Sequence, residues 1–71
     1  MTQIGQRARS IRTRRSESQE AIARRANISV ATYSRIENGR NEPSLDTLRR
    51  IAGALEVTLD ELTGGPIEAA S

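Results

Sequence analysis

The 71-residue chain has no Cys, His, Trp or Phe, a single Tyr and two Pro. Without Cys there is no disulfide framework, and a reducing compartment fits. Without Cys or His there is also no thiolate or imidazole zinc site and no imidazole for general-base work. A chain of this size buries only about 60% of the surface it exposes when unfolded, so its core is small and pairing with a second copy would help it. No apolar run approaches the roughly 20 residues of a membrane span, and Met1 to Ser10 holds no apolar stretch of signal-peptide type. The chain therefore reads as soluble and cytoplasmic. Glu17, Glu20, Glu37 and Glu42 are dispersed without metal spacing, and no paired carboxylate motif is present. The expectation is a non-enzyme with no cofactor, no metal and no membrane partner.

Lysine is missing as well, so all 11 basic side chains are Arg against 9 acids. Arginine suits forked contacts to phosphate and guanine, but GC-rich codon usage would produce the same bias, so the enrichment alone decides little. Their distribution says more. Residues 1–25 carry a net +5, residues 26–50 a net +1 and residues 51–71 a net −4. Such a gradient suits a polyanion at the front and solvent or a protein partner at the rear, or else simply marks solvated faces.

Helical spacing runs through every long segment and no stretch alternates like a half-buried strand, which predicts an all-α fold. Ile4, Ala8 and Ile11 give a first helix from about Gln3 to Arg15 one buried stripe. Ser18 reads as the N-cap of a short second helix, with Glu20 early and Arg24 and Arg25 late, as the helix dipole favours. Asn27 tolerates the left-handed turn, Ser29 caps a third helix from Val30 to Asn38, and Gly39 ends it with positive φ. Ser44 caps a fourth helix with Leu45, Leu48, Ile51, Ala52 and Leu55 at helical spacing. Thr58 caps a last turn with Leu59 and Leu62, and Gly64-Gly65-Pro66 breaks it. Residues 1–64 thus form one five-helix domain, and 65–71 read as a flexible tail. Asn27-Ile28-Ser29 matches a glycosylation acceptor, but at a helix-helix turn of a chain without a secretory signal it carries no weight.

Gln19 to Gly39 has helix-turn-helix order: a short helix, a turn at Ala26-Asn27-Ile28 and a capped helix. Ala23 belongs where the two helices approach most closely, while Ile22, Ile28, Tyr33 and Ile36 can share a core. Ser18-Gln19-Glu20-Ala21-Ile22-Ala23, Ile28-Ser29, Ser34-Arg35-Ile36-Glu37-Asn38-Gly39 and Pro43-Ser44-Leu45 resemble the phage repressor and Cro family of helix-turn-helix proteins, over about 60 of the 71 positions. The register of these segments makes the resemblance specific. It implies a lambda-repressor-like domain whose third helix lies in the major groove of double-stranded DNA, with the second crossing above at the backbone.

In that arrangement the start of the third helix meets base edges, here Val30, Ala31 and Thr32, with Arg35 one turn on. Arg35 can fork onto O6 and N7 of guanine, a contact worth about 1 to 3 kcal/mol of discrimination, or else touch only phosphate or solvent. Val30 and Ala31 either meet thymine methyls or pack on neighbouring side chains. Thr32 contacts a base or phosphate, or bonds its own helix backbone. Tyr33 is expected in the core with its hydroxyl at the rim. Gln19, Ser29, Asn38 and Arg40 are the phosphate candidates; the resembled family uses the matching Gln on the DNA backbone, and the positive end of the second helix suits an anion, or else Gln19 is a solvated first-turn side chain and Asn38 and Arg40 serve as helix cap and solvated charge. Arg14, Arg15, Arg24 and Arg25 read as a general basic field.

The resemblance also implies a structural ion pair between Arg12 and Glu37. Two departures stand out. Glu17 replaces an apolar residue that would staple onto Ile22, predicting a looser start to the second helix, and Asn27 replaces a turn Gly. The resembled proteins suggest a homodimeric repressor or restriction-modification controller reading two half-sites about 34 to 36 Å apart. Val57, Leu59, Glu61, Leu62 and Ile67 are the candidate dimer surface, with Leu59 and Leu62 alternatively finishing the monomer core. An antitoxin, which would bind a toxin as well as its own operator, is the other class the resemblance permits.

Overall fold

The computed structural model describes residues 4–64. Five helices follow one another: α1 (Ile4–Arg14), α2 (Gln19–Ala26), α3 (Val30–Glu37), α4 (Leu45–Leu55) and α5 (Leu59–Thr63). There is no strand among the described residues, as the periodicity predicts. The expected first position Gln3, the tail 65–71 and the dimer candidate Ile67 lie outside them.

Every helix after the first opens on a short polar side chain that accepts a backbone N–H in the first turn. Ser18 accepts from Ala21, Ser29 from Thr32, Ser44 from Thr47 and Thr58 from Glu61. Such caps satisfy donors that a helix start leaves free, and replacing one by Ala typically costs about 1 kcal/mol. At Thr58 the Glu61 carboxylate also reaches back to the Thr58 N–H, completing a reciprocal capping box. Asn27 takes the left-handed conformation at φ 62° and sends its N–H to Ala23 and Arg24. The Gly it replaces in the resembled pattern is therefore not needed. Glu56 does the same at the end of α4 with φ 61°, although nothing in its side chain favours that conformation. Gly39 turns the chain after α3 with φ 75°, and α3 ends at Glu37, with Asn38 as its C-cap.

The apolar faces close around one core made of Ala8, Ile22, Ala23, Ala26, Tyr33, Ile36, Ile51, Ala52, Ala54, Leu55 and Leu62. α2 packs chiefly on α4, and α1 bridges α3, α4 and α5. Small residues set the spacing: Ala23 is almost wholly buried, and Gly5 lets α1 lie directly on the end of α3. A Cβ built on Gly5 would stand 2.3 Å from the Ile36 carbonyl oxygen and 2.6 Å from that of Glu37. This close approach fixes α1 against the very turn that ends α3.

The start of α2 is not loose. Glu17 cannot staple onto Ile22 as an apolar residue would, but its carboxylate pairs with Arg15 at 3.0 Å and with Arg25. Its carbonyl accepts from Arg12 Nη1 at 2.9 Å. An electrostatic clamp stands where the family pattern uses a hydrophobic one. It also withdraws Arg15 and Arg25 from the expected basic field: Arg15 additionally reaches Glu56 at 3.3 Å, and Arg25 donates to the Ala54 carbonyl at 2.8 Å.

Candidate nucleic-acid interface

α3 has two faces. Tyr33, Ile36 and Glu37 are buried, while Val30, Ala31 and Arg35 face solvent and Thr32 and Ser34 are half-buried. Val30 is 41% exposed, one of two large apolar side chains left so open among the described residues; the other is Leu45, at the start of α4. The four candidate base readers therefore share the outer side of one helix. Arg35 and Arg40 have no side-chain partner among the described residues, whereas Arg9, Arg12, Arg15, Arg25 and Arg50 are engaged with acids. Thr32 does not bond its own helix backbone. Its Oγ1 lies 2.8 Å from Ser29 Oγ, so the two hydroxyls pair with each other at the start of the helix.

Behind this face sits a polar junction. The Glu37 side chain is fully buried and accepts from Arg12 Nε at 2.7 Å and Arg12 Nη2 at 3.1 Å, a two-pronged pair. The structure thus brings together the two residues expected to form the ion pair. It adds two donors that sequence reasoning did not assign to this carboxylate, Gln19 Nε2 at 2.9 Å and Arg9 Nε at 3.5 Å. Burial by itself would raise the Glu37 carboxyl, but the hydrogen bonds from Arg12 and Gln19 outweigh it and hold it below the ordinary carboxylate value. Arg9 continues the chain outward, donating from Nη2 to Asn38 Oδ1 at 2.8 Å, and Asn38 Nδ2 reaches Ser34 Oγ at 3.5 Å.

Tyr33 is deeper than expected. Its ring and hydroxyl are fully buried beside this junction, and Oη has no hydrogen-bond partner. Burial first, and then the neighbouring Glu37 carboxylate, push the phenol well above its ordinary value.

The phosphate candidates stand at helix ends: Gln19 at the start of α2, Ser29 at the N-cap of α3, and Asn38 and Arg40 on either side of Gly39. Arg9 and Ser34 belong to the same neighbourhood and were missed. Ser34 was legible from spacing, since it stands four residues after Val30 and three after Ala31; Arg9 was legible only as one more surface cation. On the opposite side, Leu62 is fully buried in the chain's own core, so it offers no surface to a second copy. Val57 and Leu59 are half-buried, and Glu61 is exposed but engaged in its capping box. An open cleft of about 750 Å³ runs beside them, lined by Arg7, Ile11, Arg14, Leu55, Val57 and Glu61 among others. No helix among the described residues is long and apolar enough to cross a membrane.

Known proteins share this architecture. The chain is 39% identical over 61 residues to the immunity repressor protein of Bacillus phage phi105, covering 86% of this chain and 42% of that protein. It is 38% identical over 48 residues to the cryptic phage CTXphi transcriptional repressor RstR of Vibrio cholerae, covering 68% of this chain and 43% of that one. The chain thus spans less than half the length of these two relatives. A crystal structure of the restriction-modification controller protein C.AhdI from Aeromonas hydrophila superposes with a TM-score of 0.83 at 31% identity, over 86% of this chain and 92% of that one. Residues 9–62, which include the caps, the Asn27 turn, both faces of α3 and the buried Glu37, match the Helix-turn-helix family, and the chain belongs to it.

Proposed function

We propose that the protein is a sequence-specific double-stranded DNA-binding transcription regulator of repressor or controller type, acting in the cytoplasm as a homodimer. α3 enters the major groove and places Val30, Ala31, Thr32 and Arg35 against base edges, while Gln19, Ser29, Asn38 and Arg40 hold phosphates on either side. The observation that carries this reading is the outer face of α3: an apolar start followed by an unpaired guanidinium, on a helix whose other face is tied into the core. Thymine methyls would cover the apolar side chains that this helix start leaves in water. A second copy supports tight binding, because one small domain reads few base pairs. Val57, Leu59 and Glu61 beside the open cleft form its proposed contact.

Selecting bound sequences from a random duplex pool tests this directly. The expected product is a two-half-site sequence whose binding weakens with salt at a log-log slope of about 0.9 per neutralised phosphate. Arg35→Ala should cost about 1 to 3 kcal/mol on that sequence and relax selection at one position of each half-site. An unenriched pool, or Arg35→Ala recovering the same sequence with the same affinity, would overturn the assignment. Sedimentation at micromolar concentration, with and without the selected duplex, reads the oligomeric state; monomer in both conditions removes the dimer.

A further inference from the structure

Gln19 and Asn38 end in carboxamides, which can present either a donor or an acceptor to whatever lies outside, and a phosphate accepts only. The structure settles which end each one turns outward by surrounding them with groups that have no choice. The Glu37 carboxylate can only accept, so Gln19 must turn its nitrogen inward, and Nε2 lies 2.9 Å from Glu37 Oε1. One N–H is consumed there and the second remains. The Arg9 guanidinium can only donate, so Asn38 must turn its oxygen toward it, and Oδ1 lies 2.8 Å from Arg9 Nη2. Asn38 Nδ2 then has one N–H aimed at Ser34 Oγ and one left over. Both amides thus keep one donor available. Both also answer to the same buried carboxylate, since Arg9 Nε is itself 3.5 Å from Glu37 Oε1.

We propose that Glu37 and Arg9 are positioning residues for DNA binding, which orient the Gln19 and Asn38 amides so that each offers an N–H to a phosphate flanking the recognition helix. The inference rests on the DNA-binding reading above. Each fixed amide enters the complex without losing a rotamer choice, and the hydrogen bond to a charged neighbour polarises the remaining N–H.

Double-mutant cycles on a mixed-sequence DNA duplex at low salt test it, because phosphate contacts do not depend on sequence. Gln19→Ala and Asn38→Ala should each weaken binding about fivefold. In an Arg9→Gln background the loss from Asn38→Ala should shrink to less than about twofold, and in a Glu37→Gln background the loss from Gln19→Ala should do the same. The general attraction lost with the Arg9 charge cancels in such a cycle. Arg9 is half-exposed, so Arg9→Gln should melt close to the parent and keep the test readable even if Glu37→Gln fails to fold. In the parent, the side-chain amide proton resonances of Gln19 and Asn38 should move on adding duplex; a purely structural role for Glu37 and Arg9 predicts no coupling in the cycles. Equal losses in both backgrounds, or no loss from either alanine variant, overturn the proposal while leaving DNA binding intact. A parent chain that binds no duplex at low salt defeats the DNA-binding reading itself, and the positioning roles with it.

Discussion

The seam between α2 and α4 and the junction where α1, α2 and α3 meet hold one small domain together in different ways. The seam is Ile22, Ala23 and Ala26 against Ile51, Ala54 and Leu55, all buried and all apolar. Its contribution scales with the apolar area it buries and has no preferred direction. The junction is Glu37 with Arg12, Gln19 and Arg9, and each contact has a direction and a partner. The seam builds the scaffold, while the junction aims the side of the molecule that carries the exposed face of α3. A buried ion pair contributes little net stability beside an apolar pair of equal volume, yet half of one is costly. What distinguishes the junction is therefore orientation, and the two regions should respond differently to substitution.

The largest effect is expected from Glu37→Ala, which leaves Arg12 without its partner while 14% of the Arg12 side chain remains exposed. A loss of about 3 to 5 kcal/mol in chemical denaturation is expected. Arg12→Met combined with Glu37→Met should recover most of that loss and still bind DNA more weakly than the parent; full recovery of both would erase the distinction drawn between the regions. Acid should act on the same carboxylate. Its folded pKa is held below the unfolded value, near 4.3, so its contribution is complete above that value and is lost as pH falls through the lower folded one. Denaturation midpoints from pH 7 to pH 3 should fall more steeply for the parent than for Glu37→Gln. On the seam, Leu55→Ala should cost about 2 to 5 kcal/mol, and affinity for DNA under conditions where the variant is folded should stay near that of the parent.

Gly5→Ala comes next and probes where the two regions touch. Alanine is the better helix former by about 1 kcal/mol, but its methyl would meet the Ile36 and Glu37 carbonyls at distances no real contact adopts. A net destabilisation of about 1 to 3 kcal/mol is expected, with α1 displaced from the end of α3. Gly53→Ala is the internal control: a Cβ there meets open space, so a gain of about 0.5 to 1 kcal/mol is expected in the same melts. If both substitutions stabilise, the close approach of α1 to α3 does not constrain the fold.

Much of this was legible in the sequence, and the limit has a physical form. Ser18, Ser29, Ser44 and Thr58 announced their helices because a cap is a local event: a short oxygen, a run of helix formers and nothing distant. Asn27 announced its turn for the same reason. Glu56 did not, since nothing in its own side chain favours the left-handed φ it takes as the C-cap of α4. Nor did Gly5, which reads as a gap in a stripe until the backbone of α3 is laid across it. Arg12 with Glu37 was legible through resemblance alone. Gln19 and Arg9 converge on Glu37 from two helices, and Glu17 gathers Arg15 and Arg25 from either side of a turn. Such meetings depend on how helices are arranged in space, which spacing along the chain does not encode. The outer face of α3 was readable because one helix carries all of it.

A further small effect concerns Tyr33, which belongs to both regions: its ring lies in the core and its hydroxyl lies beside the junction. Oη lacks a hydrogen bond of good geometry but faces the Glu37 carboxylate, so the two effects of Tyr33→Phe offset and a change of no more than about 1 kcal/mol is expected at neutral pH. Alkali makes the test sharper. The phenol is raised in the folded chain, so its contribution is complete below the unfolded value near 10 and is lost as pH rises toward the folded one. The chain has no Lys, Cys or His and only this Tyr, so comparing the parent with Tyr33→Phe isolates the phenol. Parent and Tyr33→Phe should thus diverge steadily above about pH 10, the parent losing stability and the variant holding level. Parallel alkaline limbs would mean that the hydroxyl reaches solvent or a partner, and the junction would then not be the dry, directional site that sets it apart from the seam.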